Sequence, residues 1–319
     1  MTTRLPLLLT FTLVAPSLAA QSYATDTTVR VERGSRLRVK VMAGDIAVTT
    51  WDRSELRIRA DHSRRTELTV ERSGAVVDVA ARGRMGLPGA VDYQITAPVW
   101  MALELGGLTA EVTIEGTEAP VRVETLQGNI VLRGGGESVT LATTNGDITV
   151  RGARGRLDLR ATAGEVRAYD SEGDIRVESV SGDVELYDMR ARSVEAQTVS
   201  GDLVLSGPIA DGGTYSLFTH SGDIVLGIPP RANARLTLSS ANGEFRLGFD
   251  LQAERTTRRR QTFRMGNGSA TVELETFSGD IRVVPPEEVR RREPDGRSDR
   301  RRPRDHRGDN HEPDGEANR

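Results

Sequence analysis

The sequence predicts an all-β chain wound into a parallel β-solenoid, and three observations carry that prediction. A twelve-residue pattern, h-x-h-x-[ST]-x-x-G-[DEN]-h-x-h with h apolar, is written repeatedly between Val121 and Leu247. Its copies recur at a nearly constant spacing, which marks a repeat architecture and outranks any local motif. Apolar and polar residues alternate on both sides of the Gly–acid pair, the period of half-buried strands.

The copies start at Val121, Val139, Leu157, Ile175, Val194, Tyr215 and Leu236, with a last one at Val272. A worn copy begins at Leu103 and an isolated early one, LRVKVMAGDIAV, at Leu37. From Leu103 to Ile175 the starts are 18 residues apart, and later intervals widen to 19, 21, 21 and 36. Each copy therefore holds two short strands joined by a corner. The corner set is Gly128, Gly146, Asp147, Gly164, Gly182, Asp183, Gly201, Asp202, Gly222, Asp223, Gly243, Gly279 and Asp280. Glycine supplies positive φ there, and Asp or Asn is expected to bond its own turn backbone. No single copy has enough apolar surface to fold alone, so copies must stack around a shared core. A meander of antiparallel hairpins is the competing arrangement. The corner spans several residues and the spacing is uniform, so a coil of ~18–21-residue rungs is preferred.

Stacking would place equivalent positions in columns. Arg160 then lies beside Glu178 and Arg167 beside Glu185, opposite charges that specify register more than they stabilise, at about 0.2–1 kcal/mol each.

The chain has 319 residues, no cysteine and a formal net charge of −3. Residues 1–20 read as a signal peptide: Arg4, an apolar run from Leu7 to Val14, and small residues ending at Ala19 and Ala20. That run is too short to span a membrane. With no cysteine following it, stability must come from the core rather than from disulfides. Residues 21–102 keep the alternation while the repeat blurs, and are expected to form a β-rich cap over the open end of the stack. Trp51 and Trp100 are assigned to the core of that cap. Residues 103–284 are the repeat domain, interrupted by an insertion at 248–271 that carries Arg255, Arg258, Arg259, Arg260 and Arg264. The insertion is expected to be a solvated loop, with an anionic polymer as the alternative partner. Residues 285–319 hold ten Arg and ten Asp or Glu. They are expected to be a disordered polyampholyte tail, with no net sign to select a nucleic-acid partner.

The column of corner acids invites a calcium reading, yet each corner has one glycine and one acid where calcium-binding nonapeptide turns use a denser pattern. Structural capping is preferred, and no metal or cofactor is expected. Catalysis needs unlike groups converging. Here equivalent acids recur in every rung, and His62 and His220, the only histidines outside the tail, have no nucleophile beside them. No catalytic residue is assigned. One column does suggest binding: Arg133, Arg151, Tyr169 and Tyr187 fall on successive rungs, where an exposed strip could stack on and hydrogen-bond to sugars.

The serial S-G-D-[IVL] corners at Ser181, Ser200, Ser221 and Ser278, behind a signal peptide, resemble a bacterial putative-adhesin family. The resemblance covers roughly Val29 to Val284. It implies a β-solenoid, export to the cell envelope and no assigned catalytic residues. The expected function is an exported, non-enzymatic, adhesin-like binding module, with envelope or extracellular glycans or surface proteins as partners. A structural scaffold or self-assembling rod is the alternative, and a polysaccharide-active enzyme is the third reading.

Overall fold

The computed structural model describes residues 23–290; the signal-peptide assignment at 1–20 and most of the tail assignment lie outside them. The chain begins with β1 (Tyr23–Arg30), β2 (Arg36–Ala43), β3 (Ile46–Trp51) and β4 (Glu55–His62). β5 (Thr66–Ser73), β6 (Val76–Gly83) and β7 (Val91–Pro98) follow. Paired strands then make rungs: β8 (Ala102–Thr109) with β9 (Val112–Thr117), β10 (Val121–Gln127) with β11 (Ile130–Gly134), and β12 (Ser138–Asn145) with β13 (Ile148–Arg151). The next are β14 (Arg154–Ala163) with β15 (Val166–Tyr169), β16 (Glu172–Ser181) with β17 (Val184–Tyr187), and β18 (Arg190–Ser200) with β19 (Leu203–Ser206). β20 (Thr214–Ser221) with β21 (Ile224–Gly227) and β22 (Ala234–Asn242) with β23 (Phe245–Leu247) continue the series. A hairpin of β24 (Gln252–Thr256) and β25 (Arg260–Met265) precedes β26 (Ala270–Ser278), β27 (Ile281–Val284) and a five-residue helix, α1 (Pro286–Arg290).

The first strand of every rung joins one sheet and the second joins another. The two sheets have 14 and 13 strands and enclose a single apolar core. Inward positions of most rungs are aliphatic and fully covered, as with Leu141, Ile148 and Val150; Tyr215 is an aromatic exception, and Phe245 and Leu247 of the outermost rung are half-buried. Burying such a side chain stabilises by about 1.5–3 kcal/mol. The fold is an all-β parallel β-solenoid. Neighbouring rungs pair parallel and in register, for example Val121↔Val139 and Ile130↔Ile148.

Spatial order departs from chain order at both ends. The isolated copy at Leu37 is a full rung, with β2 paired on β8 and β3 on β9. The boundary expected at residue 102 therefore cuts through the stack. The pieces that cap it are β4 and β1, laid antiparallel outside β7, and β5, antiparallel outside β6. Trp100 packs against the core, half-buried, and Trp51 donates from Nε1 to the Glu55 carbonyl at 2.6 Å. At the other end the rung at Val272 slides between the rungs at Tyr215 and Leu236: β26 pairs with β20 on one side and β22 on the other. The 248–271 insertion is not a loose loop. β25 pairs antiparallel with β22, and β24 with β25, so the insertion closes one sheet at that end.

The corners explain the repeated pattern. A Cβ at Gly164 would lie 2.0 Å from the carbonyl oxygen of Gly146 in the adjoining rung, so the close approach itself demands glycine. The preceding Ser/Thr position serves the same carbonyl: Thr143, Thr198, Thr219 and Thr276 each donate to a corner glycine oxygen of the adjoining rung, at 3.0–3.3 Å. The acids cap a neighbour's backbone rather than their own turn. Asp147 Oδ1 accepts the Glu165 N–H at 2.9 Å, and Asp183, Asp202, Asp223 and Asp280 repeat the bond to the next rung at 2.8–2.9 Å. Asn129 does the same for Asp147. The expected self-capping is thus corrected, because stacking brings the next rung's N–H within reach of the carboxylate.

Asp202→Ala should lower stability by about 1 kcal/mol, the worth of one such bond. Asp202→Asn should stay within about 0.5 kcal/mol, and a chelator should leave the thermal midpoint unchanged. A chelator-dependent midpoint, with Asn as harmful as Ala, would restore the calcium reading.

At the N-terminal cap Asp26 accepts from Arg57 at 2.6 and 3.0 Å and from Arg59 at 3.2 Å. The hydrogen bond from Arg57 is the main cause holding the Asp26 carboxyl down at about 2, against an ordinary 3.8. A depressed carboxyl stabilises the fold above its ordinary value, and that contribution is lost as pH falls from about 4 through about 2. Protection of the β1 amides against hydrogen exchange, relative to the intrinsic rate at each pH, should therefore fall as pH drops across that window, and Asp26→Asn should abolish the pH step.

Candidate ligand-binding surface

The outer faces of both sheets are dominated by Arg–carboxylate pairs that link or brace rungs. Arg160 reaches Glu178 at 3.3 Å, Arg167 reaches Glu185 at 3.2 Å and Arg176 reaches Glu195 at 3.1 Å. The hydrogen bond from Arg176 is the chief cause that lowers the Glu178 pKa. Such faces are electrostatically satisfied and offer little to a ligand. Among the described residues no group of three or more His, Cys, Asp or Glu side chains could hold a metal ion. His62 is buried in the cap, bonded to Thr25 Oγ1 and the Ser63 carbonyl at 2.9 Å each.

The predicted Arg–Tyr strip forms a true column, Arg133↔Arg151↔Tyr169↔Tyr187, but it is not an open one. Tyr169 and Tyr187 are only 6% and 4% exposed. Their rings stack with centroids 5.5 Å apart and pack with Val289 of α1. The rungs beyond continue the apolar patch with Val204 and Val225, so the first turn after the last rung folds back over it. Gly227 makes room: a Cβ there would meet Val289 Cγ2 at 2.6 Å. Arg290 then pairs with Asp188. This corrects two expectations, since residues 286–290 are a packed helical turn rather than the start of a loose tail. Of the arginines, Arg151 lies 4.5 Å over the Tyr169 ring and Arg133 pairs with Glu115 at 2.5 Å.

Among the described residues a different column remains uncovered. The sixth position lies beside the corner and holds Met42, Leu108, Leu126, Val180, Val199 and Phe277, each 39–52% exposed, with Thr144 and Thr162 breaking the apolar run between Leu126 and Val180. In stack order Val180 and Val199 are followed by His220, then Phe277. The His220 and Phe277 rings stack at 5.0 Å and 5°. Facing this apolar ridge across the strand is the column of fourth positions, Arg160, Glu178, Gln197, Phe218 and Glu275. Between the two ridges runs a furrow crossing successive strands. One stretch of about 340 Å³ lies between Arg160 and Phe218, and the next, about 380 Å³, runs from Phe218 past Phe277 to Arg259. Phe218, 40% exposed, lines both. The furrow has one polar and one apolar wall with aromatic rings at its far end, which suits an extended amphipathic ligand.

Part of this surface was available from the repeats alone, since an apolar residue in a slot that alternation assigns to solvent is a signal. The meeting of His220 with Phe277 was not, because it depends on the Val272 rung bypassing the Leu236 rung.

Fold and surface together define a repeat-built β-solenoid with an open furrow across its strands. The pattern that defines the Toastrack DUF4097 family matches residues 34–284, and the chain belongs to that family. No curated protein matches the chain by sequence. Among solved structures, a putative adhesin from Parabacteroides distasonis is similar with a TM-score of 0.51 at 10% identity, over 83% of this chain and 98% of that one. A putative lipid binding protein from the same species gives 0.44 at 13% identity, over 82% and 96% of the two chains. A putative adhesin from Bacteroides fragilis gives 0.41 at 13%, over 83% and 99%. At these identities the likeness is one of fold. Among the described residues no helix is long and apolar enough to cross a membrane.

Val289→Asp should cost about 2–3 kcal/mol by placing a carboxylate against Tyr169 and Tyr187, while Val289→Ala should cost about 1 kcal/mol. Denaturant midpoints measure both. Equal midpoints for wild type and Val289→Asp would show that α1 does not hold this patch in solution.

Proposed function

We propose that this chain is an exported, non-enzymatic, adhesin-like binding module of the bacterial cell envelope, and that the furrow is its ligand-contacting surface. The observation that carries this reading is the contrast between sheet faces whose charges are paired and a furrow whose exposed rings, Phe218 and Phe277, are not covered. The signal-peptide pattern in residues 1–20 supports export. Family membership and the names given to similar structures agree with a binding role. Catalysis is set aside because the hydroxyls beside His220 are engaged elsewhere: Ser240 donates to the Gly279 carbonyl at 3.1 Å and Thr276 to the Gly222 carbonyl at 3.0 Å, and the His220 ring is stacked on Phe277. Antiparallel strands β1 and β5 close both sheets at the N-terminal end, and β24 with β25 closes one of the two at the other end, where β23 is the remaining edge; this favours a single module over a rod assembled end to end.

Protease access decides where the module works. With a C-terminal tag on the Arg-rich tail, trypsin should remove the tag on intact cells as well as on osmotically opened ones. Binding of those cells to a surface or to other cells should fall at least several-fold with Phe277→Ala. Protection of the tag until the envelope is opened, with adhesion unchanged in the variant, would replace this reading with a periplasmic scaffold.

A further inference from the structure

The furrow ends against the hairpin of β24 and β25, whose tip spans Thr257–Arg259. That tip is tied to the last rung of the stack by the Ser240 N–H bond to the Arg259 carbonyl at 3.0 Å. Within the hairpin Arg264 pairs with Glu254, as does Arg235 from β22. Arg255, Arg258, Arg259 and Arg260 make no ion pair among the described residues, unlike most arginines on the sheet faces. Arg259 lines the same stretch of furrow as Phe218, His220 and Phe277. An exposed aromatic floor with an unpaired guanidinium at one end is a two-part recognition surface. The rings accept the C–H face of a sugar, and the guanidinium takes an anionic group through paired hydrogen bonds.

Resting on the binding-module reading, we propose that the Phe218–Phe277–Arg259 end of the furrow binds an acidic glycan. A sugar ring lies against the face of Phe277 turned away from His220, over Ala241, with its carboxylate, sulfate or phosphate on Arg259. Three features select this class over other polyanions. Glu275 and Glu178 line the furrow, and the chain carries a net charge of −3. A nucleic acid, with a phosphate at every step, would meet those carboxylates repeatedly, whereas a sparsely charged sugar chain places its charge at the arginines and its hydroxyls against Gln197 and Glu275. An acidic peptide would gain most by adding to a sheet edge. The furrow instead crosses strands already paired on both sides, β18 with β16 and β20, and β20 with β26.

The test is calorimetric titration of the full chain with a hyaluronan oligosaccharide, whose carboxylates fall on alternate sugars, and with a neutral β-linked glucan oligomer of the same length. Arg259→Gln should weaken hyaluronan-oligomer binding about ten-fold and leave neutral-oligomer binding unchanged. Phe277→Ala, at a surface position checked for an unchanged thermal midpoint, should weaken both about ten-fold. Binding of the hyaluronan oligomer should weaken with salt by a slope of about one or two charges. Hyaluronan-oligomer binding that vanishes with salt yet ignores Phe277→Ala would reduce the site to an electrostatic patch and overturn the proposal. Equal binding of polyglutamate or single-stranded DNA, with the same variant dependence, would overturn the glycan assignment. If neither oligomer binds while Phe277→Ala still reduces cell adhesion, the acidic-glycan inference fails and the binding-module reading stands.

Discussion

Each rung of this protein rests on its neighbour at the Gly–acid corner. There a glycine carbonyl of one rung occupies the space a Cβ would need in the next, as with Gly146 against Gly164. The same carbonyls accept hydroxyls from the Ser/Thr position, and the acid's Oδ1 accepts the N–H of the following corner. Three elements of one short motif thus serve a single contact, and each acts between rungs. That is why the motif recurs with so little drift while the outward positions vary freely. It also explains where the side-chain ladder is interrupted: Glu165 stands in the column, its longer side chain turned to Arg167, and no bond from it reaches the Asp183 N–H.

With the core closed and the corners tied, the outer faces become a question of satisfaction. Most outward charges find a partner one rung away or within their own rung, as Arg167 does with both Glu165 and Glu185. Two apolar regions break that rule and meet different fates. The patch around Tyr169, Tyr187, Val204 and Val225 is covered by the chain's own last turn through Val289. Among the described residues the ridge of sixth positions has no such cover.

The C-terminal end shows how a repeat protein can close without a dedicated capping domain. The rung at Val272 takes the place the Leu236 rung would have occupied, in the same register on β20. The Leu236 rung becomes the outermost one, carrying the hairpin that covers its sheet edge. Because all copies share the corner chemistry, nothing in the local pairing distinguishes the two orders. The connection through β24 and β25, and the return of α1 onto Gly227, decide between them.

The sequence by itself determined the solenoid, its register and its corner residues, because those follow from a short period that every copy repeats and from contacts between equivalent positions. The Arg160–Glu178 and Arg167–Glu185 pairs were legible for the same reason. Tertiary structure alone decided which rung follows which, since copies of one motif are interchangeable in local energy. It also decided what is covered. Tyr169 and Tyr187 sit in a column that alternation marks as outward, and only the fold-back of Pro286–Arg290, more than a hundred residues along the chain from Tyr169, buries them. The furrow at Phe218 and Phe277 exists for the converse reason: no segment among the described residues returns to cover it.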